Sequence, residues 1–221
     1  MNVQQYRNEY VEQVFPKRFS MERFYRRRVN LVEIFCYNEQ MQSVYLVRHG
    51  EYSNPRNILA GRLPVELSEI GITQAEKLRE FFKDKNINVI YSSAVHRCKQ
   101  TSEIIADKKI SIKYDTRLLE THSAYQGYWV KDWSHFFDHQ QELGGESIED
   151  IQKRIVAFFE EVTKKEEGNF IICSHGDPLY ALLCFLFQKS VPGMRSELPD
   201  YPQTGTAREI IVDDHGSITI A

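Results

Sequence analysis

The sequence is short of most features that would commit it to a special environment. Its four cysteines, Cys36, Cys98, Cys173 and Cys184, form no CxxC pair and fall far below the density of a secreted disulfide scaffold, so a reducing cytoplasm is the expected location. No apolar run approaches the ~20 residues of a membrane-spanning helix. The longest, Pro178 to Phe187, reads as a buried helix, and no membrane contact is expected. Positive charge is not in excess: 28 Lys and Arg stand against 31 Asp and Glu, a net charge of -3. No basic field therefore exists to hold nucleic acid or anionic lipid. Glycine-rich loops of the P-loop or dinucleotide type are also missing. What is present, 42% hydrophobic and 27% charged residues in 221, suffices for one domain with a sizeable core.

Residues 1–40 differ from the rest. They are rich in aromatics and arginine, with Arg26, Arg27 and Arg28 in a row, and carry acidic residues but no uninterrupted apolar core. That pattern fits neither a secretory signal nor a mitochondrial presequence. Two readings stand: a helical arm in which Phe15, Phe19 and Phe24 pack on something, or an upstream stretch included by a wrong start site. The domain itself is expected over residues 41–221.

From there strands and helices alternate. Ser43–Val47 reads as a buried strand ending at Arg48-His49-Gly50. Thr73 and Glu76 have the spacing of a capping box, opening a helix with Ala75, Leu78 and Phe82 on one face and Asn86 at its close. Val89–Ser92 is a second strand, followed by a helix bearing Thr101, Ile104 and Ile105. Ser111–Tyr114 reads as an edge strand. Ser147 and Asp150 cap a long helix whose apolar residues Ile148, Ile151, Ile155, Phe158 and Val162 recur every three or four. Phe170–Cys173 is a fully apolar strand delivering Ser174-His175-Gly176, the apolar helix from Pro178 follows, and Glu209–Val212 closes the sheet. The order predicts an α/β three-layer αβα sandwich with a mostly parallel sheet and its crevice beyond the carboxyl ends of the strands.

Two of those strand ends deliver His-Gly, and a third delivers Ser92-Ser93 with Arg97 on the next helix. Two imidazoles and two guanidiniums converging on one crevice suit a phosphoryl group. A phosphate monoester is a dianion near neutral pH, and planar guanidiniums bind its oxygens bidentately, which is the role expected of Arg48 and Arg97. A neutral imidazole is a competent nucleophile and its phosphorus–nitrogen bond is labile, which suits His49. His175 is placed to donate to a non-bridging oxygen as charge redistributes. Gly50 and Gly176 would let the backbone approach the anion.

The same residues lie within a larger pattern. Leu46-Val-Arg-His-Gly-Glu51 resembles the signature of the histidine phosphatase (phosphoglycerate mutase-like) superfamily. Five further blocks resemble that family's motifs in the right order: Leu67 to Ala75, Ser92 to Thr101, Leu118-Leu-Glu120, Gly144-Gly-Glu-Ser147 and Ser174-His-Gly176. The resemblance implies the phosphoglycerate mutase-like fold and transfer through a phosphohistidine on His49. It further implies Glu120 as the acid that protonates the leaving oxygen and then activates water, a small phosphorylated substrate, and no cofactor or metal.

The chain departs from the family in places. The usual tryptophan and asparagine after the signature are replaced by Tyr52 to Asn57; Asn54 and Gly61 are the candidate phosphate contacts there, with Arg56 and Arg62 as substitutes. After Glu120 runs an aromatic insertion, about 121–145, with Tyr125, Tyr128, Trp129, Trp133, Phe136 and Phe137, expected to lid the crevice and set specificity. His135 and His139 within it have helical metal-pair spacing but read as surface residues, since two ligands do not define a site. No match is evident to the insertions of glycolytic mutases, so hydrolysis of a small phosphorylated metabolite is the favoured activity. Mutase-type transfer, phosphoprotein phosphatase action and a non-catalytic phosphate-binding module are the alternatives. The expected assembly is a monomer or homodimer.

Overall fold

The computed structural model describes residues 41–129, 141–189, 200–213 and 217–220. The N-terminal extension and residues 130–140 of the aromatic insertion, including His135 and His139, lie outside the described residues. Among the described residues are six strands: β1 (Gln42–Arg48), β2 (Ile87–Ser92), β3 (Ser111–Tyr114), β4 (Asn169–Ser174), β5 (Ala207–Val212) and β6 (Ile218–Ile220). The helices are α1 (Glu69–Phe82), α2 (His96–Ala106), α3 (Ile148–Lys165) and α4 (Gly176–Leu186). The sheet order is β3-β2-β4-β1-β5-β6. The first four strands run parallel, β5 runs antiparallel to β1, and β6 antiparallel to β5.

The period-two alternation of the strands divides the core into two layers. Val44, Leu46, Val89, Tyr91, Phe170 and Ile172 face α3 and α4. Tyr45, Val47, Ile90, Ile171 and Cys173 face α1 and α2. Central strands buried on both faces read as continuous apolar runs, as β4 does. The three-layer αβα sandwich is therefore borne out, with β3 on the edge. β6 was not expected; three residues are too few to show a period.

The start of α1 differs from its prediction. Ser68, not Thr73, is the N-cap: its hydroxyl accepts from the Gly71 amide at 3.1 Å, while the Thr73 hydroxyl bonds back to the Glu69 carbonyl at 3.0 Å inside the helix. Gly71 lies within the first turn because a Cβ there would collide with the Glu51 carbonyl. This glycine is a point of close approach between α1 and the segment after β1. α3 begins as predicted, with the reciprocal capping box of Ser147 and Asp150.

The register sets the site. Arg48 pairs with Ser174 and Ser92 with Cys173, so β1, β2 and β4 end at one level and release His49, Ser93 and His175 side by side. In the core Phe158 is fully buried, edge-on to Tyr91 at 5.4 Å. Phe158→Ala is expected to cost about 3–5 kcal/mol in urea denaturation, whereas Ser147→Ala, removing one cap, costs about 1 kcal/mol.

Candidate active site

Arg97 enters from the first turn of α2 and is almost completely buried, with 1% of its surface exposed. Its Nε donates to His49 Nε2 at 2.9 Å. One terminal nitrogen donates to the Gly61 carbonyl at 2.9 Å and lies 2.9 Å from His175 Nδ1 and 3.3 Å from Glu120 Oε2. A single guanidinium thus joins His49, His175, Glu120 and Gly61. The ring of Tyr52 lies beneath it at 5.1 Å and beside His49 at 5.7 Å.

The hydrogen-bond partners assign the tautomers. His49 Nδ1 lies 2.7 Å from the Gly50 carbonyl, which can only accept, so Nδ1 carries the proton and Nε2 keeps its lone pair. His175 is the reverse: Nδ1 accepts from Arg97, and Nε2 donates to the Ser93 hydroxyl at 2.8 Å. Burial first, then the positive charges of Arg97 and Arg48, holds His49 well below the usual histidine range. His175 is lowered likewise by burial and then by Arg97. Both imidazoles are neutral near pH 7, which gives His49 Nε2 the electronic state of a nucleophile.

Arg48 stands at the end of β1. It donates to the Pro202 carbonyl at 2.7 Å and lies over the Tyr201 ring at 5.4 Å. Arg48 Nε and the second terminal nitrogen of Arg97 are buried donors without a hydrogen-bond partner among the described residues. Buried donors are normally satisfied, and two unsatisfied cationic ones have the chemistry to receive an anion. Among the described residues His49, Glu120 and His175 also form a group compact enough for metal ligation. The Arg97 guanidinium is hydrogen-bonded among all three, and its charge opposes a cation there.

Glu120 arrives from a 3-10 turn (Thr116–Leu118) tied to β4 by the Ser174 hydroxyl, which donates to the Leu118 carbonyl at 2.7 Å. Its Oε1 accepts from the Thr121 amide at 3.0 Å, and Oε2 lies 3.5 Å from His175 Nδ1. Arg62 and Arg154 both donate to its carbonyl and to the carboxylate of Glu146, from the Gly-Gly-Glu-Ser block. Arg62, a candidate phosphate contact in sequence, is thus engaged in holding the acid's backbone.

The structure brings together His49, Arg48, Arg97, Glu120 and His175, with Gly61 contributing its carbonyl. Gly61 adopts a left-handed φ of 47°, and a Cβ would lie 2.7 Å from Gln126 Oε1. Asn54 is not joined to that group: its side chain donates to the Ile58 carbonyl and accepts from the Ile58 amide, closing its own loop. The spaces that require Gly50 and Gly176 lie within the protein, against the Gly71 carbonyl and the Tyr201 hydroxyl. The insertion's first residues clasp the same loop, the Leu59 and Gly127 amides donating across to the Tyr128 and Leu59 carbonyls at 2.8 and 2.9 Å. Tyr128 and Trp129 are 67% and 60% exposed.

Three contributors escaped the sequence, whereas Ser93 was placed at its strand end there without a role. Tyr52 carries no distinguishing spacing, and Tyr201 is far along the chain. Asp177, two residues beyond His175, accepts from the Tyr201 hydroxyl at 2.7 Å and the Thr121 hydroxyl at 2.9 Å. It keeps some surface exposure yet is densely surrounded, and burial followed by the negative charge of Glu120 pushes its carboxyl up to about 7. A carboxylate directly after His-Gly was the one available signal.

A model of the histidine phosphatase superfamily (branch 1) matches residues 44–216. The chain is 32% identical over 160 residues to the putative phosphoserine phosphatase 2 of Hydrogenobacter thermophilus, covering 66% of this chain and 79% of that one. It is 30% identical over 172 residues to the metal-independent phosphoserine phosphatase of Arabidopsis thaliana, covering 70% and 72%. Among solved structures, Bacillus stearothermophilus YhfR superposes with a TM-score of 0.72 at 26% identity, covering 81% of this chain and 95% of that one. The protein belongs to the histidine phosphatase superfamily, as its six motif blocks imply. Within it, the chain is an enzyme of the phosphatase class. No described helix is long and apolar enough to cross a membrane.

Two outcomes are expected of this geometry. Orthophosphate at 100 times its Kd should add about 2.7 kcal/mol to the unfolding free energy, measured by thermal shift, and Arg97→Ala should abolish the effect. Asp177 is protonated when folded and ionised when unfolded between its ordinary value of 3.8 and about 7. Its contribution to stability is complete below that window and lost as pH rises through 7. Asp177→Asn, which cannot ionise, should therefore gain Tm over wild type at pH 8 and gain little at pH 4.

Proposed function

We propose that the protein hydrolyses phosphoserine or a similar small phosphomonoester through a phosphohistidine on His49. The observation that carries this reading is the buried Arg97 guanidinium, held between the lone pair of His49 Nε2, His175 Nδ1 and Glu120 Oε2. A phosphoryl group bound by Arg97 and Arg48 meets a neutral nucleophile on one side and a carboxyl group on the other. Relatives named phosphoserine phosphatases support the substrate class.

His49 Nε2 attacks phosphorus in line as the ester bond breaks, and Glu120 gives its proton to the departing oxygen. The phosphohistidine retains the Nδ1 proton, held by the Gly50 carbonyl. Glu120, now a carboxylate, takes a proton from water. The resulting hydroxide displaces the imidazole, restoring neutral His49 and a protonated Glu120 and releasing inorganic phosphate. Arg48 and Arg97 stabilise the charge on the equatorial oxygens throughout, while His175 holds the Arg97 guanidinium through Nδ1. No step calls for a metal. The exposed aromatics that open the insertion, Tyr128 and Trp129, support a role in selecting the alcohol part of the substrate. The buried free thiols of Cys98, Cys173 and Cys184 support work in a reducing cytoplasm.

The test is phosphate release from a panel of phosphorylated metabolites, phosphoserine and p-nitrophenyl phosphate, with EDTA present. EDTA should leave turnover unchanged, and His49→Ala should lower it by at least about 10³-fold, as removal of a covalent nucleophile does. Turnover persisting in His49→Ala would sink the assignment. A folded wild type that releases phosphate from none of the esters would favour mutase transfer, a phosphoprotein substrate or a binding module instead.

A further inference from the structure

The proposed reaction gives no part to Asp177, a densely surrounded carboxyl group beside it. Asp177 occupies the first turn of α4, immediately beyond the loop that carries His175. One carboxylate oxygen accepts from the Thr121 hydroxyl at 2.9 Å, and the other from the Tyr201 hydroxyl at 2.7 Å. Thr121 is itself almost fully buried, at 3% exposure, and its backbone amide is the donor to Glu120 Oε1 at 3.0 Å. A continuous chain of bonds therefore runs from Tyr201 through Asp177 and Thr121 to the carboxylate of Glu120. Glu120 Oε2, the oxygen that faces Arg97 and His175, is oriented by what holds Oε1.

We propose that Asp177 is a positioning residue for Glu120, fixing Thr121 so that the Glu120 carboxyl group is aimed at the leaving oxygen of the substrate. This inference rests on the assignment of Glu120 as the general acid. A hydroxyl anchored to a buried carboxylate has one orientation, and a catalytic carboxyl displaced by as little as 1 Å loses much of its efficiency. The groups facing Asp177 come from three segments: Thr121 and Glu120 after the 3-10 turn, Arg48 at the end of β1, and Tyr201 before β5. Tyr201 also lies beneath Arg48, so the same phenol contacts the phosphate-binding arginine and the anchor of the acid. Burying a carboxylate beside another carboxylate destabilises the fold, a cost that a positioning role would explain.

A general acid matters in proportion to how poor the leaving group is, and that distinguishes positioning from general loss of structure. Phosphoserine expels an alkoxide that needs the proton, whereas p-nitrophenyl phosphate expels a stable phenolate that scarcely does. The measurement is kcat and KM for both esters with wild type, Asp177→Asn, Thr121→Val, Thr121→Ser and Glu120→Gln. Asp177→Asn and Thr121→Val are near-isosteric, so a failure of one to fold leaves the other to decide. Each should lower kcat for phosphoserine at least about 10-fold more than kcat for p-nitrophenyl phosphate, with KM shifted about 2-fold or less. Thr121→Ser, which keeps the hydroxyl, should restore most of the loss. Glu120→Gln should show the same discrimination more strongly. Equal losses on both esters, or none, in Asp177→Asn and Thr121→Val would overturn the inference. If Glu120→Gln failed to discriminate, the general acid assignment would fall and this inference with it. A wild type that turned over neither ester would sink the proposed function itself.

Discussion

A guanidinium does not surrender its proton inside a protein, so an arginine with 1% exposure obliges its surroundings to supply acceptors. Arg97 finds them in His49 Nε2, His175 Nδ1, the Gly61 carbonyl and Glu120. Each of those partners comes from a different segment, and their convergence depends on the level at which the three central strands end. Burial first, and then the charge of this arginine, keeps the two histidines neutral, and its hydrogen bonds hold both rings and the Gly61 carbonyl of the loop after β1. Among the described residues Arg97 and Arg48 each retain a buried donor without a partner, the feature on which the proposed binding of a phosphate dianion rests.

Much of the motif pattern holds backbone in place. Gln74 accepts from the Glu51 amide, Gln100 from the Leu67 amide and Thr101 from the Gly50 amide. Three side chains on two helices thus satisfy the amides of the loops that lead away from His49. Glu146 does the same on the other side, receiving Arg62, Arg154 and the His122 amide. These contacts keep an active loop rigid where few regular backbone bonds exist, which is the condition for electrostatic preorganisation.

The electrostatics are assembled at a cost to stability. Two imidazoles are kept neutral beside two cations, and Asp177 is buried near Glu120. The two large apolar layers on either face of the sheet supply the stability against which this is set. The polar cluster sits at the strand ends, where it interrupts neither layer.

The fold was largely legible because β4 and its neighbours are apolar without interruption and α3 is periodic and capped. Hydrophobic period and capping are local properties that a sequence carries in full. His49, Arg48, Arg97, His175 and Glu120 were legible for a related reason: each lies in a motif at a strand or helix end, and the alternation of strands and helices places those ends on one edge. The start of α1 was misplaced because Thr73 and Glu76 have capping spacing, and only the nearby Glu51 carbonyl explains why Gly71 belongs inside the helix. Asn54 and Arg62 were candidates for phosphate by proximity in sequence, and long-range bonding gives each a different partner. The sequence by itself determined which residues could do phosphoryl chemistry and in what class of fold. Only the tertiary structure decided the tautomers of the histidines, the partners of Arg97 and the path from Tyr201 through Asp177 to Glu120, because hydrogen-bond direction and burial belong to groups distant along the chain.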